Sequence, residues 1–478
     1  MTKPLLTTLA LAVALAASGC AMLEPQLPAA NASIPADWPL PPTTAAATKT
    51  PAATSAATPA AEQAVTDIGW RDFFTDPKLE ELIARALDNN RDLRVAVLNV
   101  ERTRAQYNIQ RADRFPAVAA NVGLNRTGGN VANPGSVYSA AVGAAFELDL
   151  FGRVHNLSQS ALQRFFAQEE ARRSAQLSLI AEIANVYLTL AADLESQRVA
   201  QATLDNQQSA YDLIVKRHQL GAVSALDLNQ AQTTVETARA DMARYAGLVA
   251  TDTNALRLLV GAPVEAALLP QGFDPAVSGL TALPAQLPSQ VLLRRPDVLQ
   301  AEHLLRAANA NIGAARAAFF PSISLTGSIG TASNELSGLF ESGTRIWSFI
   351  PQISLPIFQG GRLRANLGMA TADRDIALAQ YEKSIQSGFR EVADALALTR
   401  TLADRRAAQQ SLLDAATRAH ALSKARYDQG RDSFLNLLDA QRTLYAAQQG
   451  LVAAQLAEQA NRVTLYKVLG GGWQESSK

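Results

Sequence analysis

The chain has 478 residues, with 43 basic and 43 acidic side chains and a formal net charge of zero. A neutral chain without a basic stripe argues against nucleic acid as a partner. Hydrophobic residues make up 48% of the chain but aromatic residues only 6%, which indicates long, closely packed helices rather than one thick globular core.

The N-terminus predicts a lipoprotein signal peptide over residues 1–19. Lys3 supplies its positive charge, and the apolar run from Leu5 to Ala17 is too short to span a bilayer. The run ends at Ala17-Ser18-Gly19-Cys20, which resembles a bacterial lipobox except that Ala17 stands where leucine is usual. We therefore expect Cys20 to carry a covalent N-terminal acyl lipid and no other cofactor to be present.

Cys20 is the only cysteine of the chain, so no intrachain disulfide can form. The alternative is an incidental cysteine inside a cleaved signal, but its place at the end of the apolar run favours acylation. Ala21 follows it instead of aspartate, which by resemblance to other lipoproteins points to the outer membrane.

Residues 20–67 form the lipidated N-terminus and a tether rich in proline and alanine, which predicts extended chain without a core of its own. Order is expected to begin near Trp70, and a helical pattern starts at Leu79.

The rest of the chain contains a long tandem duplication. Phe115-Pro116 recurs as Phe320-Pro321, 205 positions later, and the block from Arg217 to Thr234 recurs 209 positions later. The boundaries are a first repeat at 68–265, a linker at 266–285, a second repeat at 286–473 and a tail at 474–478.

Each repeat predicts the same order of elements: a helix of about 25 residues, two strands, a very long helix, a glycine-bearing tip and a second helix. Apolar and small or polar residues alternate in the predicted strands, which are listed as 118–124, 138–150, 322–329 and 347–357. A soluble sandwich is the alternative, but the secretory signal and the polar second face favour a membrane barrel.

The long helices carry heptad spacing, for example from Ile180 to Leu194, and residues 153–220 contain neither glycine nor proline. Since no segment after the signal has about 18 consecutive apolar residues, further membrane contact is expected through strands. Bacterial barrels need at least about 8 strands and an even number. Four strands per chain therefore require two, three or four copies.

Several long motifs resemble the outer-membrane factor family, the TolC-like exit ducts of tripartite efflux pumps, in its OprM-like lipoprotein branch. The motifs are Leu148-Asp149-Leu150-Phe151-Gly152-Arg153, Arg294-Arg295-Pro296-Asp297, Phe319-Phe320-Pro321-Ser322 and Leu355-Pro356-Ile357-Phe358-Gln359-Gly360-Gly361-Arg362. The resemblance covers residues 68–473.

This resemblance implies a mainly α protein with a β-barrel portion. Three copies would share a twelve-strand barrel in the outer membrane, and their long helices would form a coiled-coil α-barrel in the periplasm. The implied partners are a periplasmic adaptor, an inner-membrane pump of the resistance-nodulation-division type and outer-membrane lipid. The duct is passive, so no enzyme activity is expected.

The resemblance also assigns candidate site residues. The helix tips are expected to face the adaptor, and glycine and serine there suit a left-handed turn followed by a helix cap. The tip residues are Arg217, Gly221, Ser224, Leu226, Arg426, Gly430 and Ser433.

The expected periplasmic gate comprises Leu435, Asp439, Arg442, Tyr427 and Asp227. On a trimer axis, three copies of Asp439 would form a carboxylate ring that selects cations. The alternative is a solvated pair between Asp439 and Arg442 worth little energy.

The chain shows neither a catalytic constellation nor the spacing of a metal site. A coiled-coil tether without a pore is a competing function, but the strand pairs with polar faces argue against it. An exit duct for secreted polysaccharide or peptide remains open, because cargo choice lies mainly with the pump. The sequence leaves open the cargo, the specific pump and adaptor, and the resting state of the gate.

Overall fold

The computed structural model describes residues 23–35, 38, 68–129, 135–273, 280 and 289–471. The signal peptide, Cys20 and the predicted tail at 474–478 lie outside the described residues, as do most of the tether and part of the linker.

The first repeat begins with two short helices and then follows the predicted order. Its elements are α1 (Trp70–Phe73), α2 (Pro77–Asn89), α3 (Arg91–Ala112), β1 (Ala117–Thr127), β2 (Gly135–Leu148), α4 (Arg153–Gln219) and α5 (Ala225–Val260). Two 3₁₀ turns follow at Ala266–Leu268 and Ser289–Arg294.

The second repeat has the same order of long elements. They are α6 (Pro296–Ala317), β3 (Ser322–Ser333), β4 (Arg345–Ser354), α7 (Arg362–Asp428) and α8 (Phe434–Val468). Helices α3 and α6 have equal lengths, and so do α4 and α7, so the duplication seen in the sequence is also a duplication of structure.

Two predicted strands end earlier than their apolar alternation. β2 stops at Leu148 because Asp149 accepts hydrogen bonds from the backbone N–H groups of Val154 and His155, at 3.1 and 2.6 Å, at the start of α4. β4 stops at Ser354, and Pro356 shortly after it has no N–H to donate to a ladder.

The described chain divides into two compact units. Among the described residues, the first unit comprises those within 23–32, 98–170 and 299–384, and the second comprises those within 33–97, 171–298 and 385–471.

The first unit contains one antiparallel sheet in the order β1-β2-β3-β4. Residues directly opposite one another share a face, as do Val118 and Ala144, and Phe146 and Leu325. One face is therefore apolar and carries Val118, Val122, Leu124, Tyr138, Val142, Phe146, Ile323, Leu325, Ile329, Trp347, Phe349 and Ile353. The opposite face carries mainly serine, alanine and glycine, with Asn121, Thr326 and Gln352 among its other polar residues.

Both outer strands of this sheet keep a free edge. Among the described residues, β1 pairs only with β2 and β4 only with β3. A free edge leaves backbone N–H and C=O groups without partners in the ladder. Such a sheet cannot close into a barrel by itself.

An extended N-terminal segment, residues 23–32, also belongs to the first unit. The Asn309 side chain donates to the Pro25 carbonyl at 2.7 Å and to the Glu24 carboxylate at 3.0 Å. Arg316 donates to the Leu23 carbonyl at 3.1 Å. Residues 23–25 of the predicted tether thus lie against α6, although they have no regular secondary structure.

The second unit has a continuous apolar core. Phe73 stacks on Tyr466 with ring centroids 3.9 Å apart, and the Tyr187 hydroxyl donates to Asp76 at 2.7 Å. One described helix, α4, has an 18-residue window of mean hydropathy 1.4, and 61% of that window is buried within the chain. Ile180 and Ile183 of this helix lie in the apolar core.

Candidate functional site at the helix tips

Two tight turns join the long helices of the second unit, one between α4 and α5 and one between α7 and α8. Gly221 and Gly430 hold φ angles of 72° and 68° at these turns, where a Cβ would be strained. The residue after each glycine donates its backbone N–H to the carbonyl five residues earlier. These hydrogen bonds, from Ala222 to Arg217 and from Arg431 to Arg426, are both 2.9 Å long. These hydrogen bonds form a Schellman motif, which contains the left-handed turn predicted from the glycines.

Both serines of the tips cap the helix that follows. The Ser224 hydroxyl accepts from the Asp227 N–H at 3.1 Å, and the Asp227 carboxylate accepts from the Ser224 N–H at 3.2 Å. Ser433 accepts from the Asn436 N–H at 3.3 Å. The carboxylate of Asp227, which the sequence assigned to the gate, is therefore already engaged in a capping box.

The two tips contact each other within one chain. Arg217 donates to the Tyr427 hydroxyl at 3.1 Å, and its guanidinium carbon lies 5.8 Å from the centre of that ring. Tyr427 lies against Phe434 beside a small buried cluster of Ile214, Ala231, Phe434 and Leu438. The structure thus brings together two residues that the sequence placed in separate groups, the docking tips and the gate.

The second tip also holds an ion pair that the sequence reasoning missed. Arg426 donates through Nε to Asp432 at 3.2 Å, and Asn436 donates to the same carboxylate. The hydrogen bond from Asn436, followed by that from Arg426, lowers the pKa of Asp432. Its position directly before the capping serine was the available signal, because acidic residues are favoured at helix N-termini.

Leu435, Asp439 and Arg442 lie on one exposed face of α8, whereas Leu437 and Leu438 turn inward. In the described part of the chain, no ion pair joins Asp439 to Arg442. The alternative of a simple solvated pair is therefore not formed, and this face is free within one chain. Leu226 at the first tip is also exposed.

Away from the tips, α5 and α8 are linked by polar side chains. The Tyr445 hydroxyl donates to Asp241 at 3.0 Å, and the Tyr245 hydroxyl donates to Gln449 at 2.7 Å. In both pairs the partners are 204 residues apart, so no local pattern could have revealed them.

Metal ligation has no support in the part of the chain that is described. There, no group of three or more histidine, cysteine, aspartate or glutamate side chains is placed to hold a metal ion. The features of this site are helix caps, exposed apolar side chains, the ion pair between Arg426 and Asp432, and the exposed carboxylate of Asp439.

Known proteins are similar to this chain over most of its length. The profile of the outer membrane efflux protein family matches residues 82–262 and 287–471. The antibiotic efflux pump outer membrane protein ArpC of Pseudomonas putida is 45% identical over 486 residues, covering 100% of this chain and 97% of its own length. The toluene efflux pump outer membrane protein TtgC of Pseudomonas putida shows the same identity and coverage.

A solved structure of an outer membrane channel is also similar to this chain. The open state of the Neisseria gonorrhoeae MtrE outer membrane channel superposes with a TM-score of 0.83 at 38% identity, covering 95% of this chain and 99% of that one.

Proposed function

Because this chain belongs to the outer membrane efflux protein family, we propose that three copies of it close one passive exit duct through the outer membrane. As an outer-membrane component of an efflux pump, it takes its drive from a periplasmic adaptor and an inner-membrane pump of the resistance-nodulation-division type. An acyl lipid on Cys20 adds a membrane anchor.

The observation that carries this proposal is the four-stranded sheet. It has one apolar face, one polar face and two free edges within a single chain. When several copies of such a sheet close into a barrel in lipid, the backbone groups at each free edge gain hydrogen-bond partners from the next copy. Lipid then covers the apolar face, and the polar face lines a water-filled interior. Three copies give a barrel of twelve strands.

Small, mainly apolar toxic compounds are the proposed cargo. Relatives of nearly the full length of this chain are named for antibiotic and toluene efflux. The duct provides the exit path but does not choose the compound, because passive channels discriminate chiefly by pore size and charge.

The proposed gate lies at the exposed face of α8. Leu435 would narrow the periplasmic mouth, and the copies of Asp439 would form a carboxylate ring with Arg442 beside it. The contact between Arg217 and Tyr427 holds the two tips of one chain together, which favours the closed state.

The proposed docking surface for the adaptor is the pair of tips. The left-handed turns and serine caps fix the backbone shape of each tip. The exposed Leu226 offers an apolar contact.

Planar bilayer recording tests the gate. The wild-type protein should give rare, cation-preferring openings, whereas Asp439→Ala should open more often and lose preference for cations, because the carboxylate ring is removed. Asp404→Ala, an exposed aspartate on α7, is the matched control and should behave as wild type.

Two other results have defined meanings. Equal conductance from Asp439→Ala and wild type would keep the duct and remove Asp439 from the gate. No conductance from a folded, membrane-inserted assembly would contradict the duct itself and favour a structural tether.

A further inference from the structure

Charged side chains are almost absent from the four-stranded sheet. Strands β1 to β4 contain only three of them, Arg126, Glu147 and Arg345. Glu147, the single anion, lies on the polar face near the end of β2 that leads into α4. Both cations lie at the opposite end of the sheet, where the two hairpin loops join the strands. Neither arginine belongs to the proposed gate or to the docking tips.

The strand register places both arginines on the apolar face of the sheet. Side chains two residues apart in a strand point to the same face. Arg126 therefore lies on the face of Val122, and Arg345 lies on the face of Trp347. A cation on a face that lipid covers is costly at the middle of the bilayer, and this cost falls steeply toward the water interfaces. Both arginines therefore belong at the level of the lipid headgroups.

Aromatic side chains mark the same level of the sheet. Trp347 is 75% exposed and lies one position on the apolar face further into the sheet than Arg345, roughly 7 Å along the strand. Beside β1, Tyr138 pairs with Leu124, which is two residues from Arg126. Membrane barrels carry girdles of such aromatic residues at both water interfaces. Each arginine thus lies just outside the girdle, at the depth of lipid phosphates.

No neighbouring acid neutralises the two arginines. Both are exposed, and within the described ranges neither of them forms an ion pair. The sequence of the loop after β1, residues 128–134, contains no acidic residue. The loop after β3 carries Glu335 and Glu341, and neither carboxylate is paired with Arg345. Both guanidinium groups are therefore available to an anionic ligand.

We propose that Arg126 and Arg345 bind the phosphate groups of the phosphorylated glycolipid in the outer leaflet of the outer membrane. In the proposed duct the helices extend into the periplasm, so the hairpin end of the sheet faces this leaflet. A guanidinium can donate two parallel hydrogen bonds to one phosphate, which makes arginine better suited to this anion than lysine. This inference rests on the proposed duct and names the lipid that its barrel recognises.

The two arginines stand on the two outer strands of the sheet. In the proposed barrel the edge of β4 meets the edge of β1 from the next copy, so Arg345 of one copy and Arg126 of the next lie on neighbouring strands. Two cations from two copies then face one diphosphorylated headgroup. The assembled protein should therefore bind this lipid more tightly than a single copy does.

Native mass spectrometry of the full-length assembly in detergent tests the site, with purified diphosphorylated lipid A as the probe. Arg126→Gln/Arg345→Gln should bind the probe roughly 30-fold more weakly than wild type, since each arginine at an anionic lipid surface contributes about a factor of five. Arg126→Lys/Arg345→Lys should fall between the two, because lysine keeps the charge but loses the planar pair of donors. Lipid A without phosphates should bind wild type and Arg126→Gln/Arg345→Gln equally weakly.

A matched variant and two other phosphate sources serve as controls. Arg400→Gln/Arg405→Gln removes the same charge from the exposed surface of α7 and should bind diphosphorylated lipid A as wild type does. Phosphatidylglycerol, an anionic phospholipid, should not displace lipid A at equal concentration. Inorganic phosphate should not displace it either.

The outcomes separate this inference from the proposed duct. Equal binding of lipid A by wild type and Arg126→Gln/Arg345→Gln, in assemblies that still conduct ions, would overturn the site and leave the duct intact. Equal weakening by the α7 control variant would overturn it as well, because the effect would then follow net charge alone. Displacement by phosphatidylglycerol or inorganic phosphate would overturn the assignment to the glycolipid. A wild-type protein that neither assembles nor conducts would overturn both the site and the duct.

Discussion

At the scale of single residues, two neighbouring carboxyl groups between α4 and α5 stand out. Burial, followed by the hydrogen bond and the charge of Asp252, raises the pKa of Asp193 to about 6. The pair therefore favours holding one proton.

This pair predicts a pH-dependent stability. The folded-state pKa of Asp193 lies above its ordinary value of 3.8, so its contribution to stability is present at low pH and is lost as the pH rises through about 6. Asp193→Asn keeps the neutral form. It should match wild type near pH 4 and be more stable at pH 7.5 by on the order of 1 kcal/mol, a value reduced for partial exposure to solvent.

Thermal unfolding of the detergent-solubilised protein at both pH values checks this prediction. Asp212→Asn, an exposed aspartate on the same helix, should show no difference between the two conditions. A gain for Asp193→Asn that is equal at pH 4 and pH 7.5 would exclude the shared proton as its cause.

At the scale of elements, Arg295 fastens the start of α6 to two other helices. Its side chain is buried and donates to the Val468 carbonyl at 2.6 Å, to Glu391 at 2.8 Å and to Asp297 at 2.7 Å. Gly388 of α7 makes room for it, since a Cβ there would meet the guanidinium at 3.4 Å. One cation thus joins α6, α7 and the end of α8.

Removal of this cation should loosen the three helices. We expect Arg295→Met to destabilise the protein by about 2 kcal/mol, because a buried carbonyl loses its donor while the half-exposed carboxylates keep some hydration. Arg295→Lys should recover part of the loss, since lysine carries the charge without the planar fork.

The neighbouring arginine provides a matched control. Arg294 is exposed, so Arg294→Met should leave the thermal midpoint of the assembly almost unchanged. Equal effects of the Arg294 and Arg295 substitutions would show that the buried network contributes nothing of its own.

At the scale of the whole molecule, the four-stranded sheet exposes an apolar face that is not covered within one chain. Val122 is 82% exposed within one chain and lies on the apolar face, whereas its neighbour Asn121 lies on the polar face. The exposure of so many apolar side chains is explained when lipid covers that face.

Adjacent substitutions distinguish the two faces. Val122→Arg should cost about 2–4 kcal/mol if its side chain meets the middle of the bilayer, and should sharply reduce the oligomer recovered from the outer membrane. Asn121→Arg, one residue away, should assemble normally and alter only conductance. Comparable recovery of both variants would contradict the assignment of the apolar face to lipid.

Local sequence patterns determined much of this protein. Alternation of apolar residues predicted four strands, the absence of glycine and proline predicted α4, and Gly221 with Ser224 predicted the first tip. These features depend on backbone geometry and on neighbours a few residues away. The internal duplication was also readable from the sequence, because equal spacing of motifs needs no knowledge of packing.

Only the tertiary structure decided which copies of duplicated elements are buried. Helices α3 and α6 have similar sequence patterns, although α6 is covered and α3 is not. The hydrogen bond from the Tyr445 hydroxyl to Asp241 could likewise not be recognised from the residues around Asp241. The engagement of Asp227 in a cap and the contact of residues 23–25 with α6 were likewise unforeseen. Such contacts join residues remote in sequence, so their energies arise from packing and leave no periodic signal in the chain.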